Sequence, residues 1–191
     1  MDIVRWMNPT YSSRQRIPSM ECHCSQLVYN HYLAVVCGWG NSMRNSVMLF
    51  DLTDTPTLSP VRCVTSAPPE FRYGFSLSEY ENKLYLLGGF RGGGYSHSTS
   101  GFYQIDLSIA DEEAMATYSP MESSSRMTER GFHSACVATI NMKPTLIIWG
   151  GLHDNVAVGA LELFDFESKT WRQGKSNYHL IKTDVVLMFV R

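Results

Sequence analysis

Short apolar runs closed by glycine punctuate the chain at three places. Leu84-Tyr85-Leu86-Leu87 leads into the doublet Gly88-Gly89, and Leu146-Ile147-Ile148-Trp149 leads into Gly150-Gly151. A weaker copy, Ala34-Val35-Val36, runs into Cys37-Gly38, with cysteine in place of the first glycine. Runs this short, bounded by glycine, read as buried strands rather than helices. Other strand-like segments recur around each run in a fixed order. Cys22-His23-Cys24-Ser25, Arg72-Tyr73-Gly74-Phe75 and Arg130-Gly131-Phe132-His133 open the units. Val47-Met48-Leu49-Phe50-Asp51, Phe102-Tyr103-Gln104-Ile105-Asp106 and Leu161-Glu162-Leu163-Phe164-Asp165 follow the glycines. A fourth segment closes each unit, near Val61-Arg62-Cys63-Val64, Thr117-Tyr118 and Thr170-Trp171. The pattern predicts an all-β repeat protein of four-stranded units, with the glycine-closed strands innermost.

The intervals locate the insertions. From the last glycine to the aspartate is 13 residues (38 to 51), 17 (89 to 106) and 14 (151 to 165). Constant strands with variable loops between them are what a repeated supersecondary unit produces. Four strands per roughly fifty residues, a Gly-Gly after the second and an aromatic in the fourth resemble the kelch repeat, one blade of a β-propeller. The resemblance covers nearly the whole chain and is most specific at Gly88, Gly89, Gly150, Gly151 and Trp171. Gly38 holds the doublet's second place in the first repeat, where Cys37 departs from the pattern. Tyr118 stands where the second repeat would have tryptophan. The implied division is a partial blade at 1–16, blades at 17–67, 68–122 and 123–175, and a partial blade at 176–191. The ends either combine into a mixed fourth blade or belong to a larger ring. The second reading is favoured, because residues 176–191 lack both a glycine doublet and a clear third strand.

Each motif residue has a structural reason to be there. Glycine after a buried strand permits positive φ and close backbone approach. A tryptophan on an outer strand buries a large apolar area against the neighbouring blade.

Composition fits a chain that can bury a core: 44% of its 191 residues are hydrophobic and 18% charged. A formal net charge of −2 argues against general nucleic-acid binding. No apolar stretch approaches the roughly 20 residues that span a bilayer as a helix, so no membrane partner is expected. Without an apolar block at Met1-Asp2-Ile3-Val4-Arg5-Trp6, the expected compartment is the cytoplasm, with the nucleus open to it. Five cysteines without paired spacing are then expected as reduced thiols.

Catalysis finds little support. Cys22-His23-Cys24 lacks the spacing and the second ligand pair of a structural zinc site, so no metal is expected. A copper-radical oxidase on a kelch-like propeller needs a cysteine cross-linked to a tyrosine, and neither Cys63 nor Cys136 carries a recognisable motif for it. Nucleophile elbows, Walker loops and dinucleotide fingerprints are absent from the sequence. Neither an enzymatic activity nor a cofactor is expected.

The loops carry the functional reading. Alternating antiparallel strands send the loops after each second strand, and the links between blades, to one face. Loops on a rigid scaffold are where binding concentrates. Arg44, Arg62, Arg72, Arg91, Arg126, Arg130 and Arg172 lie in or beside connections feeding that face, with Trp39, Phe90, Tyr95 and His97 interleaved. Arginine's planar fork suits carboxylates, and flat aromatics are enriched at interfaces. The candidate partner-binding residues are therefore Arg44, Arg91 and Arg130, with Tyr95, His97 and Trp39 beside them. The expected function is a non-catalytic protein–protein interaction module gripping a protein or peptide, with acidic residues or a free carboxylate as the expected target. The resemblance adds a place in a ubiquitin-ligase substrate adaptor as one version of this role. Self-association or contact with adjoining blades is expected if end blades leave strand edges unpaired. The competing reading is a degenerate or structural kelch fragment without its own ligand.

Overall fold

The computed structural model describes residues 10–11, 20–36, 38–40, 46–91, 95–110 and 113–174. They contain strands and turns and no helix. Blade one is built from β1 (Cys24–Val28), β2 (Tyr32–Val36), β3 (Val47–Asp51) and β4 (Thr57–Ser66). Blade two comprises β5 (Ser76–Tyr80), β6 (Lys83–Leu87), β7 (Phe102–Ala110) and β8 (Glu113–Pro120). Blade three comprises β9 (Ser134–Ile140), β10 (Lys143–Trp149), β11 (Leu161–Asp165) and β12 (Thr170–Gln173). Within each blade the strands pair antiparallel in sequence order. The fold class expected from the sequence, kelch-type propeller blades, is the one observed.

The glycine-closed strands are not innermost. In every blade they lie second, and the edge position belongs to β1, β5 or β9. These three first strands lie against one another, β1 on β5 and β5 on β9, so they line the inner side of the arc. The error has a physical source. Burial on both faces comes from being covered by blades or neighbouring strands, and a second strand has that cover without lying at the axis. The first strands are more polar. From β1, Cys24 Sγ donates to the Phe75 carbonyl at 3.2 Å and Gln26 Nε2 to the Leu77 carbonyl at 2.8 Å.

Two apolar layers separate the blades. Between blades one and two lie Val36, Leu49, Leu84, Leu86, Ile105 and Tyr118, with other buried residues of both sheets. Between blades two and three lie Tyr85, Leu87, Phe102, Leu146, Ile148 and Phe164. Trp171 packs against the second layer, its ring 5.7 Å from that of Phe102 and 5.0 Å from that of Phe164. Tyr118, also on an outer strand, is buried in the first layer.

The two seams differ at their outer rim. β4 and β8 pair in parallel over Arg62–Glu113, Cys63–Ala114, Val64–Met115, Thr65–Ala116 and Ser66–Thr117. Blades one and two therefore share one continuous sheet. At the other seam the link from blade two lies along β12. Ser123 Oγ donates to the Lys169 carbonyl, and Ser125 Oγ both donates to the Trp171 carbonyl and accepts its N–H. The serine run is an edge cover for the outer strand as well as a connection.

The partial blades expected at the chain ends lie almost wholly beyond these residues. Of 1–16 only Thr10 and Tyr11 are described, paired in parallel with Thr57 and Leu58, and 176–191 lie outside the described residues.

Candidate functional site

The face expected to carry loops is built on backbone contacts between connections. Tyr73 and Phe90 exchange N–H···O bonds of 3.1 and 2.8 Å, and Arg91 N–H bonds the His97 carbonyl at 2.9 Å. The second bond closes the base of the loop that carries Tyr95. Phe132 N–H bonds the Gly74 carbonyl at 2.6 Å, tying the link before blade three to the link before blade two.

These ties assemble an aromatic ledge. Tyr73 and Phe90 are buried beneath it, while Tyr95 and Phe132 remain 47% and 45% exposed. The Phe132 ring lies 5.5 Å from Phe90, 5.7 Å from Tyr95 and 6.1 Å from Tyr73, centroid to centroid. Phe132 has φ +54°, a conformation that a bulky residue adopts at a cost. The corresponding residue in blade two is Gly74, at φ +63°. A Cβ on Gly74 would stand 2.8 Å from the Phe132 ring, so this glycine leaves the room that the ring occupies. Gly131 does the same for Phe90, whose ring would collide with any Cβ there. Burial, first, and the neighbouring Tyr95 raise the pKa of the Tyr73 phenol, which keeps it neutral.

Polar groups surround the ledge. Arg91 pairs with Glu70 at 3.1 Å and donates to Thr99 Oγ1 at 3.0 Å. Ser98 Oγ lies 2.7 Å from His153 Nδ1 and joins the loops of blades two and three. His97 is exposed and shares a 3.1 Å hydrogen bond with Ser96. Through Arg91 the ledge adjoins an open groove of about 680 Å³, lined among others by Glu122, Arg126, Glu129 and Trp171.

Of the candidate residues, Arg91, Tyr95 and His97 come together here. Arg130 does not. It is 0% exposed, and its guanidinium donates to the carbonyls of Thr128, Gly150 and Ala160 and to Glu162. Burial lowers its pKa, and the Glu162 charge offsets only part of that shift. Arg72 is buried likewise, and Arg62 pairs with Glu113 on the outer seam at 2.7 Å. An arginine between a loop and a strand reads as a surface charge because the carbonyls that enclose it leave no mark in the side-chain sequence. Arg44 lies outside the described residues, and of Trp39 the backbone alone is described, paired with Glu21.

Gly38, Gly88, Gly89, Gly150 and Gly151 lie just past the ends of the second strands, and Trp171 packs in the layer between blades two and three. Gly88 and Gly89 have φ of +68° and +98°, and Gly150 and Gly151 of +73° and +92°. A Cβ on Gly38 would collide with the Cys22 carbonyl. Sequence reasoning missed Phe132. Its signal was a phenylalanine at the place where the preceding repeat has glycine.

Among the described residues no cluster of three or more metal-ligating side chains occurs. His133 is buried, with Nε2 2.8 Å from Ser76 Oγ, and burial followed by the Arg130 charge pushes its pKa down to about 3. It joins β5 to the start of blade three as a neutral hydrogen-bonding group.

Three four-stranded antiparallel units, the first two joined at the rim by a parallel pairing, stack with their first strands inward and define blades of a β-propeller. The model of the KLHDC2/KLHL20/DRC7 Kelch-repeats domain matches residues 1–182, and the chain belongs to this kelch-repeat family. Among curated proteins no relative matches the chain. A chain in the solved structure titled "Cryo-EM structure of RAG in complex with one melted RSS and one unmelted RSS" is similar in fold, with a TM-score of 0.65 at 11% identity. The match covers 88% of this chain and 55% of that one, so the chain spans about half the length of the solved relative.

Proposed function

We propose that the chain is a non-catalytic protein-interaction module that presents the loop face of blades two and three to a protein or peptide partner. Its kelch domain implies protein binding in general. The observation that carries the reading is the pair Tyr95 and Phe132, two large rings left half-exposed over a buried aromatic base. Exposed aromatics on rigid support are typical interface anchors, because little side-chain entropy is lost on contact.

Proximity labelling with the full chain tests this, comparing wild type with a Tyr95→Ala/Phe132→Asn variant that circular dichroism shows to be folded. Loss of specific partners supports the reading. An unchanged partner list overturns it and leaves the structural fragment without a ligand. Delivery of the partner to a ubiquitin ligase is the more specific version, in the cytoplasm or nucleus. It requires a ligase-binding segment joined to the blades, and copurification of a cullin with the protein tests it.

A further inference from the structure

The charge around the ledge differs from what the arginine count implies. Arg72 and Arg130 are withdrawn into the blades, and Glu70 occupies Arg91. Among the described residues, Arg91, Arg126 and Arg172 are the exposed arginines of this set in blades two and three, and Arg172 lies within β12 rather than in a loop. Against them stand exposed Glu70, Glu122, Glu129 and Asp154. Glu122 and Glu129 line the groove together with Arg91 and Arg126, and Arg91, already paired with Glu70, leaves Arg126 as the cation facing the two carboxylates. The whole chain carries a formal charge of −2, so the long-range field does not oppose this local balance.

We infer that this surface docks a cationic segment of a partner protein, with an arginine or lysine laid on the Tyr95 and Phe132 rings and further basic groups meeting Glu122 and Glu129. This rests on the proposed use of the loop face and adds the partner's charge. The π-face of an aromatic ring attracts a cation, and a guanidinium stacks on it while its N–H groups stay free for carboxylates. The fold already contains such a contact: the Arg72 guanidinium lies 4.9 Å from the centroid of the Tyr103 ring. Carboxylates beside the ledge supply the complementary field that fixes orientation and raises the association rate.

The test is a phage library of random dodecapeptides selected on the full chain, with enriched peptides synthesised and titrated. The expected result is enrichment in arginine and lysine. Phe132→Asn, which tolerates positive φ, should weaken those peptides by roughly ten-fold, the range of a partly desolvated cation–π contact. Glu122→Gln/Glu129→Gln should weaken them in low salt and much less in high salt, while Arg91→Ala leaves them unchanged or tighter. Enrichment in acidic peptides that need Arg91 overturns the cationic inference and keeps the proposed binding face. Peptides indifferent to Phe132, Tyr95 and Arg91 alike overturn both, as does the absence of any enriched peptide.

Discussion

Arg130 Nη2 lies 2.6 Å from Glu162 Oε2, with both side chains buried. The strand registers place Glu162 and Tyr103 at equivalent positions of β11 and β7. Arg130 and Arg72 are equivalent in turn, each donating to a carbonyl after the second strand and to another before the third. One blade completes the guanidinium's surroundings with a carboxylate and the other with an aromatic ring. In blade one the same registers put Met20 and Met48 at these positions. The arginines are pins that hold loop and strand ends together, and blade one dispenses with the pin.

Breaking the buried pair should cost more than removing it. Glu162→Ala leaves the Arg130 charge enclosed without its counter-ion and is expected to lower stability by about 3–5 kcal/mol. An Arg130→Met/Glu162→Leu double change should recover part of that loss. Urea denaturation of the single and double variants measures the difference.

The two glycines of a doublet should respond unequally. A Cβ on Gly151 would stand 2.6 Å from the Gly131 carbonyl oxygen, while a Cβ on Gly150 would meet nothing within 4 Å. Gly150→Ala therefore bears the positive-φ cost alone, about 1 kcal/mol, and Gly151→Ala should lose clearly more. Thermal melts of the two variants decide the order.

The glycines and Trp171 were legible in the sequence because each has a repeated signature tied to one local requirement. The succession of four strands in each blade followed from the same repetition, but which strand lies innermost did not. Other features have no such signature. The pins depend on backbone carbonyls, which every residue carries. The parallel seam joins two strands, Thr57–Ser66 and Glu113–Pro120, whose sequences mark them as strands without naming a neighbour. Ser123 and Ser125 carry no mark of their role, since a hydroxyl that bonds a strand edge looks in sequence like one that bonds water.

Acid should destabilise the fold through His133. Its folded pKa, pushed down to about 3, lies below the ordinary value of 6.5. The unfolded chain therefore binds the extra proton, and stability present above pH 6.5 falls progressively as pH drops towards 3. The slope contributed by this one group is up to about 1.4 kcal/mol per pH unit. Asp51 and Asp165, whose pKa values are lowered by hydrogen bonds to Thr53 and Ser168, lose stability in the same direction at lower pH. Denaturant melts of wild type and His133→Gln across pH 4–7.5 isolate the histidine: the variant should show the shallower fall between pH 6.5 and 4.5.

Ser125→Ala removes the hydroxyl that both donates to and accepts from the Trp171 backbone. The expected loss is about 1–2 kcal/mol, and faster hydrogen exchange should be concentrated at the Trp171 amide. Uniformly raised exchange across blade three would show that the serine acts through the whole blade instead.

The parallel pairing of Arg62–Ser66 with Glu113–Thr117 also constrains how such a chain can change over generations. A duplicated blade inserted between blades one and two would have to break five paired positions before it could form any of its own. An insertion after blade two meets a seam held at its rim by serine side chains, which a new blade can satisfy by repeating the same link. Growth and loss of repeats should therefore fall at the second seam, and the first two blades should be inherited as one piece.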